Sequence, residues 1–167
     1  MTRRFRFAAT VLATALGAAL ATPAGAQIED YTPVTDDLLR EPPPSDWLSW
    51  RRTLDGQGHS PLAQITTENV DDLRLAWSWS LGSGSQQTTP LVHDGILYIA
   101  NPGEIVQALD AATGDFLWEY RRGAPEPGDS FGGPPPGRQH RNIAIYEDKV
   151  YLNTADAHIL AIDARTG

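Results

Sequence analysis

Residues 92–114, VHDGILYIANPGEIVQALDAATG, align without a gap on residues 145–167, IYEDKVYLNTADAHILAIDARTG. Both copies run apolar strand, turn, apolar strand, and both close on Ala-x-Asp-Ala-x-Thr-Gly. Self-similarity of fixed length is the signature of a repeat fold, in which one unit cannot bury its own apolar face and is covered by the next. Only about two copies are present, where such folds need at least about three, so the sequence reads as a chain cut within its second unit.

Within the first copy four strands are expected, Thr88 to Val92, Ile96 to Ala100, Ile105 to Leu109 and Phe116 to Tyr120. They are parted by His93-Asp94-Gly95, Asn101-Pro102-Gly103 and Ala112-Thr113-Gly114-Asp115. Four short strands with tight Gly and Pro turns describe one blade of a β-propeller, so the fold class is all-β with only the first blades present. Upstream, Leu75, Trp77, Trp79 and Leu81 alternate with Ala76, Ser78 and Ser80, a period of two that predicts a further strand pairing with the last blade of a closed ring. Gly123 to Gly137, with Pro134-Pro135-Pro136, is too long and polar for a hairpin and reads as a site-lining excursion or a surface insertion. The second blade is expected to begin at Asn142.

The chain opens with Arg3, Arg4 and Arg6, an uncharged run from Phe7 to Leu20, and Ala24-Gly25-Ala26. That order predicts a secretory signal peptide over residues 1–26, since the apolar run falls short of the roughly 20 residues a membrane span needs. A mature product with no membrane span, in the periplasm, is the expectation. Residues 27–46 are polar and Pro-rich and read as an extended arm wrapping the outside of the domain, with Thr35 capping a turn through Asp36 to Leu39. The propeller part is then 47–167, and Thr67-Glu68-Asn69-Val70 has the polar start of a short helix.

The formal charge of −8 becomes −11 once the three leader arginines are removed. So acidic a chain offers no basic stripe for phosphates, which argues against nucleic acid and anionic membrane surfaces as partners. With no cysteine there is no disulfide, thiolate or Cys-based metal site. No phosphate loop, paired His ligands or Ser nucleophile motif is present, and Gly82-Ser83-Gly84 lacks the strand-to-helix setting of a dinucleotide fingerprint. Asp110 and Asp163 fall in turns, where capping explains them. His59, His93, His140 and His158 fall in loops and read as solvated.

Ala108-Leu109-Asp110-Ala111-Ala112-Thr113-Gly114-Asp115-Phe116-Leu117-Trp118 resembles the tryptophan-docking motif of the pyrroloquinoline-quinone (PQQ)-dependent alcohol dehydrogenases, and Ala161 to Gly167 starts a second one. In that family the small Ala and the Gly turn leave a slot for the Trp of a neighbouring blade. The run Asp55-Gly56, Ser60 to Ile65, Asn69-Val70, Leu73 and Ala76-Trp77 looks like the segment preceding the family's first blade, so the resemblance covers nearly everything from Trp47.

The resemblance implies an eight-bladed quinoprotein propeller in which PQQ accepts hydride from an alcohol and a Ca²⁺ or lanthanide ion polarises its carbonyls. Electrons would pass to a periplasmic cytochrome c or another acceptor. The family's Glu near the quinone, three residues before the Pro opening the first blade, falls on Gln87, which keeps hydrogen bonding without the negative charge. Its Arg at the start of the second blade falls on Arg141, in Arg141-Asn142-Ile143-Ala144, able to grip a quinone carboxylate with two parallel hydrogen bonds. Catalytic and metal-binding residues come from later blades, so none is assigned here, and this piece alone would be inactive.

One departure is the adjacent Cys pair many relatives carry before that Arg; here Pro136-Gly137-Arg138-Gln139-His140 stands instead, leaving one quinone face to be covered by His140 or the Pro-rich loop. The competing reading is a non-enzymatic propeller of the same repeats serving as an envelope binding scaffold, which Gln87 and the missing Cys pair favour and Arg141 opposes.

Overall fold

The computed structural model describes residues 28–122, 143–154 and 157–167. The leader 1–26, the whole Pro-rich excursion 123–137, His140, Arg141 and Asn142 lie outside the described residues.

Two antiparallel sheets follow one another in chain order. The first is β1 (Leu91–His93), β2 (Ile96–Asn101), β3 (Ile105–Asp110) and β4 (Phe116–Arg121), and the second is β5 (Ala144–Tyr146), β6 (Lys149–Asn153) and β7 (Ile159–Asp163). The expected strands of the first blade are all found, with β1 starting three residues later than the pattern suggested. Asp94 and Gly95, at φ 50° and 76°, turn β1 into β2 so that His93 pairs with Ile96. A two-residue loop with both φ values positive matches the strand twist, and Asp-Gly adopts it at low cost.

The sheets meet face to face. Tyr98, Ala100, Val106, Ala108 and Trp118 of the first form one apolar cluster with Ile145, Val150, Leu152, Ile162 and Ala164 of the second. The Ala164 carbonyl accepts from both Tyr98 Oη at 3.1 Å and Trp118 Nε1 at 3.0 Å, which satisfies two donors that burial has removed from water. Burial pushes the Tyr98 hydroxyl well above the usual tyrosine range, with smaller contributions from Tyr31, Asp94 and Asp163, so it stays a donor.

Two expectations need correction. Leu75 to Leu81 is not a strand. No neighbour among the described residues offers it a ladder, and Leu75 is 83% exposed. The alternation nevertheless survives in what the side chains touch, because Trp77 and Trp79 both lie on the first sheet. Nor is the arm merely an outer wrapping, since Val34 is a buried member of the inter-sheet core. Val34 pairs with Glu147 and Asp46 meets His93 of β1, so the arm touches both sheets, and Trp47 just after it pairs with Val92. Thr35 does cap a helix, α1 (Asp36–Arg40), through Leu38 N–H at 3.3 Å. Downstream, the expected short helix is a single 3₁₀ turn over Val70–Asp72.

Candidate functional site

Each docking turn is built the same way. Asp110 Oδ1 accepts from the Ala112 and Thr113 amides at 2.9 and 2.8 Å, and Asp163 Oδ1 from Arg165 and Thr166 at 3.0 and 3.2 Å. The Thr113 amide, ahead of the other hydrogen bonds, holds the Asp110 carboxyl below its ordinary range. The aspartates therefore cap turns, as expected from their position.

Gly114 and Gly167, at φ 77° and 71°, lie beneath indoles: a Cβ at Gly114 would sit 2.7 Å from Trp77, and one at Gly167 2.7 Å from Trp118. Trp77 Nε1 donates to Ala111 O at 3.1 Å, the counterpart of the Trp118 bond to Ala164. Each Trp thus packs on the turn of the next unit along the chain, and the contact repeats from unit to unit.

Antiparallel pairing fixes which groups share an end of the blade. The start of β1, the Asn101 to Ile105 turn and Arg121 lie at one end, and the docking turns lie at the other. Gln87 precedes β1 and is exposed at the first end. Its neighbour Gln86 donates Nε2–H to Ala100 O, and Gly84 packs against Pro102, so this segment is fastened to the end of β2. Thr88, at the corresponding position 53 residues before Arg141, is in the same segment. By the repeat, Gln87 and Arg141 therefore fall one position apart in the sequence of the unit. Arg141 itself lies outside the described residues.

One face of the first sheet carries a polar ladder that the sequence did not single out. Asn101, 2% exposed, donates Nδ2–H to Gln107 Oε1 at 2.7 Å, while Gln107 donates to Glu119 at 2.7 Å and accepts from Trp79 Nε1 at 3.1 Å. Arg121 closes it on Glu119 at 2.8 Å. These residues alternate on adjacent strands and face the same side, a pattern legible only once the register is known. Among the described residues no group of three or more His, Asp or Glu is placed to hold a metal ion.

The loop reading of His93 is wrong. It ends β1, is 1% exposed, and has Asp46 Oδ2 2.6 Å from Nδ1 and Thr32 O 2.7 Å from Nε2. Nothing in the local sequence marks it, because both partners arrive from the arm.

Residues 47–167 match the family described as the glucose/ethanol/alcohol dehydrogenase β-propeller domain. The chain belongs to this PQQ propeller family. Among its relatives, the dehydrogenase subunit of the quinone-dependent alcohol dehydrogenase of Gluconobacter oxydans is 41% identical over 125 residues, covering 74% of this chain and 16% of the relative. The quinohemoprotein alcohol dehydrogenase structure from Pseudomonas putida superimposes with a TM-score of 0.70 at 35% identity, covering 83% of this chain and 20% of that one. A europium-containing methanol dehydrogenase superimposes at 0.67 and 30% identity, over 80% and 24%. The chain therefore spans about a quarter or less of the length of these PQQ-propeller proteins, and its two sheets correspond to their propeller architecture.

Proposed function

We propose that this chain is the N-terminal part of an exported PQQ-dependent dehydrogenase that oxidises an alcohol to an aldehyde or ketone. The observation that carries the reading is the family match over residues 47–167, joined to the paired indole-on-glycine contacts that make the repeat a propeller unit. Exposed Leu73, Leu75 and Trp79 suit burial against a further blade of the same polypeptide, which would complete a ring.

When bound, PQQ supplies a quinone carbonyl that accepts hydride. The residues present fit such a ligand: the exposed Gln87, on a segment fastened to β2, carries an amide N–H of the kind that donates to carboxylate or quinone oxygens. Arg141 would grip a carboxylate of the ligand and neutralise its charge. A calcium or lanthanide ion and the base that takes the alcohol proton belong to residues beyond this chain. A europium ion in one similar structure supports the first of these. A heme protein or heme domain in the periplasm is the electron acceptor we favour, on the strength of the quinohemoprotein relative. Export rests on the order of charges, apolar run and small residues over 1–26.

The test is to titrate the complete apoprotein with PQQ and to follow absorbance and alcohol-dependent dye reduction. Saturable binding and dye reduction, both weakened in Gln87→Ala and Arg141→Ala, are expected. A protein that binds no quinone and reduces no dye is the envelope scaffold instead. Periplasmic location is checked separately by N-terminal sequencing of the mature protein, which should begin at Gln27.

A further inference from the structure

β1 stops where nothing in its own residues obliges it to stop. Trp47 and Val92 exchange both backbone hydrogen bonds, at 2.8 and 3.0 Å, so Val92 turns its amide and carbonyl away from β2. Alternation along the strand then points those of Leu91 and His93 toward β2, where they lie opposite Tyr98 and Ile96. Continued by two residues, the same register sets Thr89 opposite Ala100, and the next rung is a bond from the Thr89 amide to Ala100 O. Pro90 does not forbid that rung, because the hydrogen its nitrogen lacks would have pointed away from β2, like that of Val92. The paired strand nevertheless begins at Leu91.

A side chain occupies the acceptor instead. Gln86 donates Nε2–H to Ala100 O. Ala100 is fully buried, so its carbonyl needs a donor that water does not supply. With that carbonyl taken, the chain from Gly84 to Pro90 lies outside the paired strand. Its other fastening is Gly84, where a Cβ would come 2.8 Å from the Pro102 ring. Gln87, exposed at this end of the blade, follows the tethered residue directly.

The anchor is rigid. Asn101, next along β2 and buried, is held by Gln107 at 2.7 Å, and Gln107 in turn by Glu119 at 2.7 Å. A half-buried side chain bonded to so fixed a carbonyl restricts the backbone that carries it, and with it the residue that follows. Had the ladder continued, the register would have carried Gln87 into the strand, opposite Pro102.

We propose that Gln86 is a positioning residue of the quinone site: by taking Ala100 O in place of a backbone rung, it ends β1 at Leu91 and holds Gln87 off the sheet, toward the ligand. The inference rests on the reading that Gln87 contacts PQQ, and it gives Gln86 no contact of its own with the ligand. Whatever Gln86 contributes to binding therefore passes through Gln87.

A double-mutant cycle on the PQQ affinity of the complete apoprotein, read by absorbance titration, separates this role from a merely structural one. Gln86→Met keeps the length of the side chain and loses its donor. It and Gln87→Ala should each weaken binding about tenfold, the loss of roughly one hydrogen bond. Combined, they should weaken it by no more than about twofold beyond Gln87→Ala, whereas independent contributions would multiply to about a hundredfold. Multiplying losses overturn the inference, as does a Gln86→Met protein that binds PQQ like the wild type while Gln87→Ala binds it weakly. A loss in Gln86→Met with none in Gln87→Ala overturns it too. If the wild-type apoprotein binds no PQQ, the quinone reading itself fails and this inference falls with it, a result distinct from the other three. Should urea unfolding show that Gln86→Met does not fold, Gln86→Ala takes its place in the same cycle.

Discussion

Gly114→Ala isolates the contact that makes these repeats into propeller units. At φ 77° any side chain pays for left-handed backbone, roughly 1–2 kcal/mol. The new Cβ also lies 2.7 to 2.8 Å from three atoms of the Trp77 indole, and overpacking of this kind adds about 1–3 kcal/mol. Gly95 separates the two effects, since its φ is 76° and a Cβ there meets nothing within 4 Å. Gly167 supplies the other extreme, because the indole it underlies, Trp118, is 3% exposed and has little room to yield, whereas Trp77 is only half-buried. Urea unfolding of the complete protein should therefore rank Gly95→Ala mildest, Gly114→Ala next and Gly167→Ala most costly. The first should lie at about 1–2 kcal/mol and the last near about 5 kcal/mol. In a Trp77→Ala background the Gly114→Ala cost should fall to that of Gly95→Ala, as a double-mutant cycle would show. Equal costs at all three glycines would refute the reasoning, leaving backbone conformation as the whole effect.

Two further outcomes are expected. Trp118→Phe removes the Nε1 bond to Ala164 O and part of a buried ring beside Tyr98; the loss should be about 2–3 kcal/mol by denaturant unfolding, and a loss under about 0.5 kcal/mol would contradict the shared-carbonyl account. Asp110, held below its ordinary range by the Thr113 amide, stabilises the docking turn fully above the ordinary carboxylate range and progressively less as pH falls below it. Acidification should change Trp77 emission in the wild type but not in Asp110→Asn, whose neutral oxygen still accepts; an identical acid response in both would exclude Asp110 as its origin.

Local pattern carried the repeat, the strands and the docking turns, because each is decided by residues a few positions apart. Alternation sets the buried face of β2 and β3, and Asp-Gly or Thr-Gly sets the turn whatever surrounds it. The same local pattern misjudged Leu75 to Leu81, where period-two side chains do lie on a neighbour but the backbone has no ladder to join. It marked Gln87 and its equivalence with the Arg141 region only through the repeat and the resemblance; the fastening of that segment by Gln86 was invisible, since its partner is a backbone carbonyl in another strand.

His93 shows most plainly where sequence reading stops. Its turn with Asp94 and Gly95 was legible, yet its burial depends on Thr32 and Asp46, brought from the arm by pairings with Val92 and Glu147. What the amino-acid sequence alone determined is the unit: four strands, a capped Gly turn, and an indole to dock. Which indole meets which turn, which polar groups lose water together, and where the arm crosses were decided by tertiary structure, because each requires the distance between residues tens of positions apart.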